Sequence, residues 1–401
     1  MSVQPAPESR ASLLARGHLP VLDAYRAVAA LAVVATHVGF DTGQTLHGLF
    51  GAVLSRLDVG VALFFALSGF LLYRPWAVAQ ETGRSGPRTR GYLWRRGLRI
   101  LPAYWVVVVV ALVVLPENNS ASRATWAANL GLAQIYVPDT LAHGLTQMWS
   151  LSTEVAFYLA LPLFAYVTTR ITGRGRSPLL AASVLVVTLV AVNIGWSAWI
   201  HSFETPGLRG FWLPNFTSWF AVGIMLAATV AHVAAGRPTP RVARPFLVLA
   251  DQPGACWTTA GGLILLATTP MAGPLTIEGV TTASEGVTKN LLYAAIIALV
   301  LLPATLGTPD GRFFKVMASA PLRRLGDISY GIFLWHLVVL SVVFRVTDRP
   351  LFSGGFWPVF LETVLGTVAI AALSWVVLER PVMRLRSRVA VTPPAVSQES
   401  G

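Results

Sequence analysis

The chain has 401 residues, 54% of them hydrophobic and 12% charged, with a formal charge of +12 and one cysteine. A soluble domain carries about twice that charged fraction, so the composition excludes a soluble protein, and Cys256 alone excludes an intrachain disulfide or a Cys-built metal site. The basic excess does not mark a nucleic-acid partner, because the arginines fall in loops on alternate sides of apolar spans.

Residues 1–20 are polar and contain proline, which predicts a cytoplasmic segment and no cleavable signal. Ten spans follow, at 21–40, 57–79, 93–115, 147–169, 178–200, 211–235, 257–273, 287–307, 326–346 and 356–379. The fold class is therefore an all-α polytopic membrane helix bundle, with the membrane domain over 21–388 and a disordered cytoplasmic tail over 389–401. The seventh span is the weakest, being short and rich in Gly, Thr and Pro. Residues 124–137 are apolar but too short to cross, so they are expected along the interface or re-entering partway. With the N-terminus inside, the segments on its side hold 23 Lys and Arg and the opposite segments hold 6. That bias predicts both termini in the cytoplasm and a multi-pass protein of the inner (plasma) membrane. No internal repeat is visible, which counts against a transporter built from two halves.

The first span, VLDAYRAVAALAVVATHVGF, is apolar yet carries Asp23 and Arg26 at its start and His37 near its end. Eleven positions at about 100° each bring Arg26 and His37 within about 20° of one another, with about 16 Å of rise between them. One helix face thus offers a fixed cation and, three turns on, a titratable imidazole. Ionisable groups within a span are costly and usually functional, the alternative being that both snorkel to water.

In the second span, Ser68 and Gly69 are small residues amid bulky ones, fitted to close helix packing or to the passage of a thin ligand. Arg96 and Arg99, spaced i, i+3 at the entry of the third span, share a face. They serve either the positive-inside bias and anionic lipid headgroups, or the phosphates of a cytosolic ligand. Glu154 falls in the first turns of the fourth span, at a depth expected to match His37. The two form either a tuned general base or a buried structural pair. Ser329, Tyr330 and His336 lie in the ninth span, where a lone buried His more often satisfies a neighbouring helix. Glu379 and Arg380, before Pro381, read as capping and anchoring. His18, His47, His143, His201 and His232 have no metal-ligand spacing, and no nucleotide fingerprint appears.

Five segments taken together, LDAYRAVAALAVVATH, FFALSGFLL, RRGLRILPAYW, WSLSTEVAFY and LGDISYGIFLWH, resemble in order the signatures of the acyltransferase family 3 membrane proteins. The resemblance covers nearly the whole chain. It implies a ten-helix membrane enzyme that transfers an acyl group from cytosolic acyl-CoA, acetyl-CoA being the expected form, to a hydroxyl, usually on a sugar. That family includes O-antigen and exopolysaccharide acetyltransferases and macrolide acyltransferases. Carried over, Arg26 and His37 are the essential first-span pair, and Arg96 and Arg99 match the Arg-x-x-Arg element. Ser68 and Gly69 match the Phe-Phe-x-x-Ser-Gly element, and Glu154 the Glu of the WSL-x-x-E signature. His37 with Glu154 are expected as the catalytic residues. Arg26, Arg96, Arg99, Ser68 and Gly69 are the acyl-CoA-binding positions. Asp23, Tyr104, Trp149, Ser329, Tyr330 and His336 are left as substrate-contacting or structural. The resemblance implies no resident cofactor or metal; the partners it implies are acyl-CoA, membrane lipid and a sugar-containing acceptor. Many relatives that act on cell-wall glycans carry an added C-terminal esterase-like domain. None is read here, which points to a small or lipid-linked acceptor. The rival from another class is a proton-coupled transporter or lipid flippase, in which His37 and Glu154 relay protons.

Overall fold

A computed structural model describes residues 19–203, 207–275, 282–308 and 312–385. His18, the predicted tail and all but the last two residues of the predicted N-terminal segment lie outside the described residues. Sixteen α-helices follow one another and no strand occurs among the described residues. They are α1 Pro20–Asp41, α2 Gly48–Arg56, α3 Val59–Thr82, α4 Thr89–Val114, α5 Arg123–Leu130, α6 Trp149–Thr172, α7 Pro178–Ile200 and α8 Thr217–Ala234. After these come α9 Arg244–Ala250, α10 Pro253–Ala267, α11 Ala283–Leu306, α12 Arg312–Met317, α13 Ala320–Asp327, α14 Ser329–Val346, α15 Phe356–Ser374 and α16 Arg380–Arg384.

Nine helical stretches among the described residues are long and apolar enough to cross a membrane, and they match nine of the ten predicted spans. The exception is the seventh. It is α10, an apolar helix of 15 residues that ends at Ala267, with a 3-10 turn at Pro270–Ala272 in place of its last turns. Thr and Pro after Ala267 stop the helix early. The chain nevertheless traverses the bundle there. Asp251 before α10 accepts hydrogen bonds from Thr308, just past the end of α11. At the other end the buried Arg56 donates to the carbonyls of Ala267 at 2.7 Å and Gly273 at 2.5 Å. Among the described residues, nine membrane-length helices and this one short apolar helix therefore make up the bundle.

α3 is the central helix, packed on α8, α1, α6, α11 and α7. Its most extensive contact is with α8, because two glycines let the backbones meet. A Cβ on Gly69 would strike the Phe220 carbonyl, and one on Gly223 would strike the Ala66 carbonyl and the Phe70 amide. Likewise Gly326, at the end of α13, rests on the backbone of Asp23 and locks the start of α1. Large apolar side chains such as Val113, Leu159, Val187 and Leu365 point outward and make a surface suited to acyl chains.

Residues 124–137 do not form a span. α5 ends at Leu130, and the chain then runs irregularly to α6, folded inward over the bundle. Its backbone is satisfied by side chains. Asn129 donates to Thr125 and Thr140 carbonyls, Asn118 to Ala111 and His143, and Gln134 to Met148. Gln147 reaches the Leu334 carbonyl of α14 at 3.1 Å, so α6 begins at about mid-height of the bundle.

Candidate active site

α1 is an unbroken helix, with Pro20 opening it and Thr42 closing it through a hydroxyl bond to the Val38 carbonyl at 2.7 Å. Arg26 and His37 are both half-buried along it, so the same-face geometry survives intact. Around Arg26 lies a polar cluster inside the bundle. It is within electrostatic reach of Arg99, Asp23 and Glu154. The Oε1 atom of Glu154 accepts hydrogen bonds from the Ser68 hydroxyl of α3 and from Tyr158, one turn on in α6, the latter at 2.6 Å. Arg96 interacts with Tyr92 and Tyr158. Glu379, only 7% exposed, ends a π-helical turn over Trp375–Glu379 and faces Arg99 and Arg26. Three guanidiniums, the half-buried Glu154 and the buried Glu379 thus converge from four elements, a density of charge that repays its desolvation only through mutual pairing or a ligand.

The other end of α1 is built on imidazoles. His37 Nδ1 sits 2.8 Å from the Val33 carbonyl, which can only accept, so Nδ1 carries the hydrogen and the Nε2 lone pair is left available. His336 of α14 repeats the arrangement, with Nδ1 2.7 Å from the Phe333 carbonyl. The two rings lie 5.0 Å apart between centroids. His336 is fully buried and its Nε2 has no hydrogen-bond partner among the described residues. The carboxylate within electrostatic reach of His37 is Asp58, at the start of α3. It pairs with Lys289 of α11 at 2.8 Å and accepts from the Tyr293 hydroxyl.

The model of a family described as acyltransferase domain matches residues 19–379. The chain belongs to acyltransferase family 3. Among its relatives are the peptidoglycan O-acetyltransferase OatA of Listeria monocytogenes, 25% identical over 94% of this chain and 57% of OatA. Nodulation protein 10 of Rhizobium leguminosarum is 27% identical over 92% of this chain and 95% of that protein. Acyltransferase MdmB of Streptomyces mycarofaciens is 26% identical over 95% and 97%. The chain spans little more than half of the OatA relative and nearly all of the other two. No solved structure matches it.

The residues expected from the family signatures divide between the two ends. Arg26, Arg96, Arg99, Ser68, Glu154 and Tyr330 gather at one, His37 and His336 at the other. Glu154 does not meet His37, contrary to the matched-depth expectation. Because residues 131–148 fold over its start, α6 begins deep in the bundle and carries Glu154 toward the arginines. Gly69 is occupied by the backbone of α8 and does not line a passage. Tyr104 holds α5 through the Asn129 carbonyl, and Ser329 closes the turn at Gly326 at 2.7 Å. Tyr330 donates to the Ile100 carbonyl of α4 at 2.9 Å, and Trp149 packs against Phe65, Phe211 and Phe216. Asp23 supplies the backbone on which Gly326 rests and a charge near Arg26.

Three features escaped the sequence reading. Tyr158 follows Glu154 by four residues, the same-face spacing, and that signal was present. Glu379 is not an exposed cap but a buried member of the arginine cluster, placed there by the π turn, which sequence does not announce. Sequence alone assigns Asp58 no role, and its partners Lys289 and Tyr293 are more than 230 positions away.

Proposed function

We propose that this protein is a membrane O-acyltransferase that moves an acyl group from acyl-CoA to a hydroxyl of a sugar-containing acceptor. The observation that carries the reading is α1 itself: Arg26 and His37 share one face about 16 Å apart, and the Nε2 atom of His37 is left unengaged by its own helix. That spacing is comparable to a pantetheine arm. In this reading the nucleotide phosphates of acyl-CoA dock on Arg26, Arg96 and Arg99, whose charge Glu154 and Glu379 hold in place. The arm follows α1, and the thioester lies beside His37.

His37 Nε2 then accepts the proton of the acceptor hydroxyl as that oxygen attacks the thioester carbonyl. The C–O bond forms, the C–S bond breaks, and the imidazolium returns its proton to the departing thiolate. Val33 takes the orienting part that a carboxylate plays in a hydrolase triad, fixing the tautomer through a carbonyl. The arginine-rich end faces the cytoplasm, where acyl-CoA is made, in keeping with the distribution of basic residues.

The test is release of free CoA thiol by purified full-length protein given acetyl-CoA and a sugar acceptor. His37→Ala is expected to lower kcat by about 10²–10⁴-fold while the protein stays folded. Arg99→Ala is expected chiefly to raise the KM for acetyl-CoA. Full turnover in the His37 variant overturns the assignment of the base.

A further inference from the structure

At the end of the bundle opposite the arginines, the irregular segment 131–148 and the segment 207–216 enclose a cavity of about 730 Å³. Its walls combine two aromatic rings with three polar heads. Tyr136 and Trp212 lie 5.4 Å apart between centroids. Trp212 is fixed from behind, its Nε1 donating to the Ile135 carbonyl at 2.8 Å and its ring stacked on Trp196. By contrast, the Tyr136 hydroxyl and the Asp139 carboxylate, both exposed, have no side-chain partner among the described residues. The Arg209 guanidinium lies over the Phe203 ring at 4.8 Å and pairs with no carboxylate among the described residues. An aromatic wall accepts the C–H face of a pyranose, while a carboxylate and a guanidinium grip its hydroxyls. Partial burial pushes the Tyr136 phenol above its ordinary range, so it stays a neutral donor.

Position reinforces composition. The loop that forms one wall touches α14 on its other side, through Gln147 and the Leu334 carbonyl, two residues before His336. The second wall continues through Phe211 onto Trp149, 5.1 Å away, and the Thr153 hydroxyl holds the Phe211 carbonyl. The two segments that line the cavity are thus anchored to α14 and to α6. Its size suits two or three sugar units.

We propose that this cavity is a saccharide-binding subsite for the acceptor, on the face opposite the acyl-CoA arginines, with Tyr136, Asp139 and Arg209 as its specificity-determining residues. The assignment deepens the O-acyltransfer reading above and rests on it for the fate of the bound sugar. It makes donor and acceptor enter from opposite ends, meeting near His37.

Two readouts separate the subsite from the reaction. Chitotetraose and maltotetraose are titrated calorimetrically into the full-length protein, held in lauryldimethylamine oxide so that no sugar detergent competes. CoA release is measured on the same samples with acetyl-CoA. Saturable binding of one saccharide is expected, weakened about tenfold or more in Asp139→Asn and in Tyr136→Ala. The KM for that saccharide should rise in parallel, with the KM for acetyl-CoA unchanged. Absence of saturable binding by the unmodified protein, or binding that all of Asp139→Asn, Tyr136→Ala and Arg209→Ala leave intact, overturns the subsite. Binding lost in these variants, in a protein that releases no CoA with that saccharide, upholds the subsite and sinks the acyl-transfer reading instead.

Discussion

Glu154 illustrates what a residue's neighbours decide and its position in the chain does not. Its carboxylate oxygen accepts from two hydroxyls inside the bundle, and a hydrogen bond to a charged group is worth about 1.5–3 kcal/mol. Tyr158→Phe removes one of the two and leaves the acceptor under-satisfied. The expected outcome is a loss of about 2 kcal/mol in stability, read as a lowered melting temperature in detergent, with His37 untouched. Arg26 and His37 were legible from sequence because one helix relates them by simple angular arithmetic. The partner of Glu154 was not, since it depends on how far α6 is sunk by a loop that carries no periodic signal. His336 shows the same limit: its burial was foreseen, but its ring contact with His37 joins helices 299 positions apart, numbers 37 and 336 in the sequence.

Among elements, the α3–α8 contact sets the geometry of everything around it. Ser68 turns to Glu154 of α6 while its neighbour Gly69 meets the backbone of α8. A methyl group on Gly223 would have to displace backbone atoms of α3, which cannot move without unpacking the helix. Gly223→Ala is therefore expected to cost about 3 kcal/mol or to prevent folding. Gly195→Ala is the matching control, because a methyl there meets open space within α7. It should be neutral or stabilising by about 1 kcal/mol. Measured melting temperatures that move equally in the two variants would contradict the packing account. Nine of the spans could be placed from apolar length alone, the most robust signal a sequence gives. The seventh, expected at 257–273, instead runs over Pro253–Ala267, because Thr268, Thr269 and Pro270 end its helix early.

For the whole molecule, the separation of charge is the feature with the widest reach. The arginine cluster occupies one end and the aromatic cavity the other, so a membrane-impermeant thiol reagent should tell them apart. Cys256 is fully buried and its thiol bonds the Leu249 carbonyl, so the native chain is expected to label poorly. Arg84→Cys should then label only from the cytoplasmic side of sealed vesicles and Asp139→Cys only from the other. Labelling of both from one side would overturn the topology drawn from the basic loops.

The abbreviated crossing at α10 carries a consequence of its own. Fifteen residues rise only about 22 Å, whereas an average hydrocarbon layer is about 30 Å thick. Lipid beside Pro253–Ala267 must therefore dimple inward or the helix must be shielded by its neighbours, and α10 presents outward-facing Leu265 and Leu266 to that pinched annulus. Such mismatch makes the fold a gauge of its surroundings, more at ease among short-chain lipids than among long ones.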